Sequence, residues 1–306
     1  MADPEPLNVP DANGGSSSGG DFFVDDDLPE GTSCWHSVKK SSGKHLFEGV
    51  LTIVLLVGDQ IFDWLAAVHS RPFFERDPAL SHPYVADQEI PMVLLFMLCL
   101  ILPALGLVLV QFGMRYRDLE NKFSDDLVRS QLCLVQSLVF CHIPVNFLKK
   151  FCGRHRPNFF AFCNYKGYAT AIETGDYTQY FNATTPGAQG DISFCLNRDA
   201  LNEARESFPS GHASSTAAGL GFFCFFLFGA FDMSANHKTH KLVTIGFVWL
   251  IIAIVGATRT RDSWHNFDDV VAGIAIGLLS ACMCYISHYR STTNRKLHPE
   301  LRRHLQ

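Results

Sequence analysis

The chain has 306 residues, 47% of them hydrophobic, with 30 Asp and Glu against 25 Lys and Arg and a net charge of −5. A mean hydropathy of +0.09 looks like that of a soluble protein, but polar termini and loops dilute apolar runs, so each segment has to be read by itself. Ten cysteines do not make a disulfide scaffold, because Cys99, Cys133, Cys141, Cys224, Cys282 and Cys284 lie inside the apolar runs, where cysteine behaves as a small hydrophobe; the modest acidic charge names no partner, and no nucleic acid is expected.

In chain order, residues 1–45 form an acidic arm rich in Gly and Ser, as in Gly14-Gly15-Ser16-Ser17-Ser18-Gly19-Gly20. Its apolar content is too low to repay ordering, so it is expected to be disordered. No basic start followed by an apolar core precedes it, and the first apolar run is expected to serve as the insertion signal.

About 20 mostly apolar residues span a bilayer. Six stretches meet that length, at 46–68, 89–113, 127–148, 213–233, 241–258 and 267–289. The expected fold is all-α, a six-helix transmembrane bundle over residues 46–289. The first span holds Glu48, Asp59 and Asp63. Asp59 and Asp63 are one helical turn apart and share a face, which fits packing or an interfacial position. Residues 290–306 form a basic tail.

Lys39, Lys40 and Lys44, then Arg115, Arg117, Lys122 and Arg129, then Lys238 and Lys241, and finally the tail fall on one side of a six-span chain. The positive-inside bias makes that side cytoplasmic and places both termini there. Lys149, Lys150, Arg154 and Arg156 fall on the other side and read as functional charge. Asn182-Ala183-Thr184, a glycosylation sequon in the long loop after the third span, agrees with a lumenal or extracellular position. Cys163 and Cys195 lie in the same loop, where oxidation is permitted and a bridge could tie its ends together.

Three short motifs stand where apolar runs begin or end: Lys149-x6-Arg156-Pro157, Pro209-Ser210-Gly211-His212, and Arg259-x5-His265-x3-Asp269. In a helix Lys149 and Arg156 would share a face and present an ammonium and a guanidinium to one anion. Alone, they equally fit a snorkelling rim. Ser210 can cap the fourth helix, whose first-turn N–H groups can receive phosphate oxygens, with Gly211 allowing close approach. His212 would then stand beside the anion as an acid. His265 and Asp269 are one turn apart, a spacing that lets the carboxylate accept a ring N–H and leaves the other nitrogen as an aimed nucleophile. Arg259 can neutralise phosphoryl oxygens. The cations Lys149, Arg156 and Arg259 would repel a divalent ion, so neither metal nor other cofactor is expected. The motifs meet on the non-cytoplasmic face.

In these residues the chain resembles the type 2 phosphatidic acid phosphatase superfamily, specifically its integral-membrane lipid phosphate phosphatases, over about 46–289. The resemblance implies a six-helix core, a phosphohistidine formed on His265 and oriented by Asp269, and protonation of the leaving group by His212. Lys149, Arg156, Ser210, Gly211 and Arg259 would hold the phosphoryl oxygens, with Pro157 and Pro209 structural. Thr258 stands where the family has Ser, and the hydroxyl is retained. Asp77-Pro78 and Ser81-His82-Pro83 are similar to eukaryotic members, including fungal diacylglycerol pyrophosphate phosphatases.

The implied substrates are phosphatidate, lysophosphatidate, diacylglycerol pyrophosphate and sphingoid phosphates, met in the plasma membrane or an endomembrane such as ER, Golgi or vacuole; homo-oligomerisation stays open. The same chemistry also serves transferases and sugar or polyprenyl phosphatases, and a non-catalytic lipid-binding protein is a rival of another class. Vanadium haloperoxidases share the anion site but are soluble, which six spans oppose.

Overall fold

The computed structural model describes residues 34–115, 123–231 and 238–293. The acidic arm before residue 34 and the basic tail beyond 293 lie outside the described residues. Ten α-helices follow in order: α1 (Cys34–Leu65), α2 (Met92–Phe96), α3 (Leu102–Arg115), α4 (Phe123–Cys152), α5 (Phe159–Phe162), α6 (Tyr168–Thr174), α7 (Thr178–Ala183), α8 (Gly211–Ala230), α9 (Lys238–Arg261) and α10 (Phe267–Thr293). A π-helical turn, Met97–Ile101, joins α2 and α3 into one rod. Among the described residues there is no sheet, only the isolated bridges Phe74 to Gln189 and Tyr165 to Cys195.

Among the described residues, six helical segments are long and apolar enough to cross a bilayer: His45–Leu65, Met92–Gly113, Asp126–Cys152, Gly211–Ala230, Thr239–Arg261 and Phe267–Tyr289. The protein is an integral membrane protein of the expected all-α class. One boundary differs. Helix α1 starts at Cys34, so residues 34–45, which composition assigns to the arm, are helical; once an apolar span has nucleated a helix, propagation into adjoining polar residues is cheap.

Helix α8 is the axis of the bundle, with 67% of its span buried against 11% for that of α1. It is apolar on every face, as a helix enclosed by others must be. Its closest neighbour is α10, and small residues explain the approach. A Cβ placed on Gly273 would strike the Ser210 carbonyl, and one on Gly277 would strike the Ser214 carbonyl and come within 2.8 Å of the Ala217 methyl. Gly273 and Gly277 are the glycines of a Gly-x3-Gly seam, which lets two membrane helices meet backbone to backbone. On the opposite side of α8 a Cβ on Gly219 would collide with the carbonyl of Cys99, inside the π-turn. Cysteines 99, 133, 141, 224 and 284 are buried and fill the bundle as small apolar groups.

Helix α1 docks on α4 through a polar ladder. Asn146 Nδ2 donates to Asp59 Oδ2 at 2.8 Å, Lys150 Nζ meets Asp63 Oδ1 at 3.1 Å, and Gln136 Nε2 donates to Thr52 Oγ1 at 3.1 Å. Asp59 and Asp63 therefore do share one face, and that face is a helix contact.

Residues 66–91 and 153–210 build a cap over one end of the bundle. Its core packs Phe73, Phe159, Phe160, Tyr165, Tyr180 and Trp264. Cys163 is bonded to Cys195, 32 residues on. Beneath the aromatic core Glu75 accepts from Tyr165 Oη at 2.7 Å, Lys166 Nζ at 2.5 Å and the Thr185 N–H at 2.8 Å. Burial pushes its carboxyl up, and these donors together bring it below the usual range.

The seam is directly testable. Gly277→Ala is expected to cost about 1–3 kcal/mol, read as thermal unfolding in detergent micelles. Gly49→Ala, where an added Cβ meets nothing within 4 Å, should leave stability within about 1 kcal/mol of the parent.

Candidate active site

The three motifs converge at the capped end of the bundle. Lys149 lies in the last turn of α4. The helix then stops: Gly153, at φ +54°, donates its N–H to the Lys149 carbonyl at 3.1 Å, a left-handed helix terminus that only glycine enters without strain. A Cβ there would also strike the His69 carbonyl. Lys149 and Arg156 thus do not share a helical face; the turn after Gly153 brings Arg156 back over the site.

Arg156 is buried. Its Nε donates to the Glu203 carbonyl at 2.7 Å, the Glu203 carboxylate stands 3.6 Å from Nη2, and the guanidinium lies 4.5 Å from the centre of the Trp264 ring. Burial pulls it down to about 10, so it stays cationic at neutral pH. Lys149 Nζ stands 3.7 Å from the position of a Cβ on Gly211, which puts the ammonium at the start of α8.

Ser210 caps α8, its Oγ accepting from the Ala213 N–H at 3.5 Å. The N–H groups of Gly211 and His212 precede the first intrahelical bond, which runs from the Ser214 N–H to the Ser210 carbonyl at 3.1 Å, and have no acceptor one turn back. His212 is half-buried in the first turn. Its Nε2 lies 3.1 Å from the Ile90 carbonyl; since a carbonyl only accepts, Nε2 carries the proton and Nδ1 is the exchangeable atom.

Arg259 is fully buried at the end of α9. Nη1 donates to Gln88 Oε1 at 2.5 Å, Nη2 reaches Asp262 Oδ2 at 3.2 Å, and Nε and Nη2 both lie 3.3 Å from Thr258 Oγ1. The hydroxyl kept at Thr258 is therefore in use. The Arg259 carbonyl accepts from the N–H of Trp264 at 3.0 Å and of His265 at 3.2 Å, turning the chain so that His265 faces inward.

His265 departs from expectation in one respect. Its Nδ1 lies 2.7 Å from the Ser207 carbonyl, while Asp269 Oδ2 is 3.8 Å away. The Nδ1 proton therefore goes to Ser207, and Nε2 keeps its lone pair. Asp269 acts around the ring: Oδ2 accepts from Ser207 Oγ at 2.6 Å and the Asn266 N–H at 2.8 Å, the latter closing the start of α10 as in a capping box. Burial, aided by the Arg156 and Lys149 cations, pushes the His265 imidazole down to about 4 against the raising pull of Asp269. A buried, neutral imidazole with one nitrogen committed has the other lone pair free in a fixed direction, the arrangement that nucleophilic attack requires.

Sequence reasoning noted Ser81-His82-Pro83 only as a family likeness and began the second span at residue 89, and so missed the role of the segment that ties these parts together; the helix starts at Met92. Residues 82–90 cross over the site: the His82 N–H donates to the Pro157 carbonyl at 3.1 Å, Trp264 Nε1 to the Val85 carbonyl at 3.1 Å, and the Glu89 N–H to Asp262 Oδ2 at 3.1 Å, beside the contacts of Gln88 and Ile90. Ser207 and Ile90 act through carbonyls that every residue type carries, so no residue pattern marks them. Among the described residues, no group of three or more His, Cys, Asp or Glu is placed to hold a metal ion. Asn182 is exposed at the end of α7.

The model of the PAP2 superfamily matches residues 130–293, just over half of the chain and all three motifs. Among similar proteins, one of Schizosaccharomyces pombe named probable diacylglycerol pyrophosphate phosphatase 1 is 31% identical over 80% of this chain and 78% of its own length. Lipid phosphate phosphatase 2 of Arabidopsis thaliana is 27% identical over 80% of this chain and 77% of its own. Diacylglycerol pyrophosphate phosphatase 1 of Saccharomyces cerevisiae is 27% identical over 70% of each. No solved structure matches significantly. The chain belongs to the PAP2 superfamily.

Two buried histidines outside the spans predict acid sensitivity. His155, packed 4.4 Å from the Phe159 ring, is pushed down to about 4 by burial and by the Arg205 and Arg71 cations. Unfolded imidazoles take up protons near pH 6.5, whereas His155 and His265 stay neutral to about 4. Between those values the unfolded chain binds more protons, so stability falls as pH falls. Thermal unfolding from pH 7.5 to 4.5 should show this decline, and His155→Phe should flatten it.

Proposed function

We propose that this member of the PAP2 superfamily is a lipid phosphate phosphatase that hydrolyses phosphatidate and related lipid phosphates, among them lysophosphatidate, diacylglycerol pyrophosphate and sphingoid phosphates, without a metal ion. The observation that carries the reading is the commitment of His265 Nδ1 to the Ser207 carbonyl, which leaves Nε2 to attack, amid cations suited to phosphoryl oxygens.

The Nε2 lone pair forms a bond to phosphorus as the bond to the lipid oxygen breaks, giving a phosphohistidine. His212 enters this step as imidazolium beside the phosphate dianion, delivers its Nδ1 proton to the departing oxygen and is left neutral with the Nε2 proton still on the Ile90 carbonyl. It then takes a proton from the water that attacks phosphorus, so that inorganic phosphate leaves and His265 is restored. Lys149, Arg156, Arg259 and the N–H groups at the start of α8 hold the phosphoryl oxygens and stabilise the charge that develops on them. Asp269 keeps Ser207 and the start of α10 in place. The headgroup reacts at the bilayer edge while acyl chains stay among the helix ends.

The site faces the lumen or cell exterior and both termini face the cytoplasm. Support comes from the basic clusters at the opposite ends of the spans and from exposed Asn182 in the cap. Asn182→Gln should abolish an endoglycosidase-sensitive mobility shift of the protein made in eukaryotic cells; a shift that persists would place the glycan elsewhere.

The direct test is phosphate release from phosphatidate micelles with a chelator present. The parent protein should turn over, and His265→Ala should lose about a thousandfold or more. His212→Ala should lose less of the first chemical step for a substrate whose leaving group needs no proton. Inactivity of the folded parent on all four lipid classes, or turnover lost to the chelator, would overturn the reading.

A further inference from the structure

Four basic residues crowd the first motif, and the site as described employs two. Lys150 is spent on structure, held by Glu206 Oε1 at 2.8 Å and Asp63 Oδ1 at 3.1 Å. Arg154 has other neighbours. Its Nη1 donates to Asp269 Oδ1 at 2.7 Å and also meets the Asp268 carboxylate, and its backbone carbonyl accepts the Ser207 N–H at 3.0 Å. Ser207 in turn offers its carbonyl to His265 Nδ1 and its hydroxyl to Asp269. One residue therefore grips both groups that border the nucleophile.

The charge on Asp269 makes this grip matter. The carboxylate has no solvent exposure and stands 3.8 Å from His265 Nδ1. An uncompensated anion at that distance would favour imidazolium and draw the Nδ1 proton away from the Ser207 carbonyl. Both effects oppose a neutral, aimed nucleophile. The charged and titratable groups around the pair are Lys149 on α4, Arg156 after it, His212 on α8, Arg259 on α9 and Asp268 on α10. Among the described residues Arg154 is the Lys or Arg side chain in salt-bridge contact with Asp269.

We propose that Arg154 is a positioning residue of the phosphatase reaction: it neutralises Asp269, so that the carboxylate can fasten Ser207 and the start of α10 without drawing a proton onto His265. This rests on the reading of His265 as nucleophile. Arg154 does not touch the substrate, so its loss acts on the chemical step and on proton affinity and leaves substrate binding in place.

The full-length protein in detergent micelles is compared as parent, Arg154→Gln, Arg154→Lys and Asp268→Asn. Two quantities are read: kcat and KM for phosphatidate across pH, and the titration midpoint of His265 by ¹⁵N-histidine NMR. Arg154→Gln is expected to lower kcat by about tenfold to a hundredfold, with KM within about threefold, and to raise the His265 midpoint by about half a pH unit or more. Arg154→Lys should restore the parental midpoint and much of kcat, because the cation is retained. Asp268→Asn should change kcat by less than about threefold, since that carboxylate only shares the guanidinium.

Parental kcat and midpoint in Arg154→Gln would overturn the proposal, as would a raised KM at constant kcat, which would make Arg154 a substrate ligand. If Arg154→Gln does not fold, Arg154→Lys decides: a displaced midpoint in the folded protein sinks the charge argument. If the parent releases no phosphate from any lipid, the proposed function fails by itself, and the NMR midpoints still decide the role of Arg154.

Discussion

The distance between two backbones sets the geometry of this site. Helices α8 and α10 touch at Gly273 and Gly277, against the carbonyls of Ser210 and Ser214. Within a bilayer no hydrophobic force draws helices together, and close packing has to supply the association. The Ser210 N–H donates to the Asp269 carbonyl at 2.9 Å across this contact, so the cap of one helix and the first turn of the other form one unit. His212 and His265 stand at the two edges of that unit. A crossing held apart by side chains would leave the same residues in the chain and no common target for them.

Charge is the second constraint. A cation removed from water costs several kcal/mol unless it is partnered, and this end of the bundle holds Lys149, Lys150, Arg154, Arg156 and Arg259. The fold gives most of them dedicated acceptors: Asp63 and Glu206 for Lys150, Asp268 and Asp269 for Arg154, Glu203 for Arg156, Asp262 and Gln88 for Arg259. The arginines reach the site with their planes already fixed, as electrostatic stabilisation requires if reorganisation during the reaction is to be avoided. Neutral Gln88 orients Arg259 without cancelling its charge.

The spans and the three motifs were legible in the sequence because both are written in side-chain type: long apolar runs, and Lys, Arg and His at fixed intervals. The face shared by Asp59 and Asp63 was legible for the same reason. What was not legible depends on backbone. The helical model for Lys149 and Arg156 fails at Gly153, whose left-handed conformation ends α4. The partner of His265 Nδ1 is a carbonyl from a residue 58 positions earlier, and periodicity within α10 could point only to Asp269. The extension of α1 back to Cys34 is invisible to composition because a polar helix start resembles a polar tail.

The crossing segment after α1 has a consequence for how this enzyme can vary. Val85 and Ile90 hold Trp264 and His212 through carbonyls, and Glu89 holds Asp262 through its N–H. Side-chain identity at these three positions is therefore nearly free as far as these bonds are concerned, whereas the spacing between them is not. The segment stores its information as a count of peptide units, and loss or gain of a single unit would offset every one of these bonds together. Insertions and deletions, more than substitutions, are the changes that this stretch of chain cannot absorb.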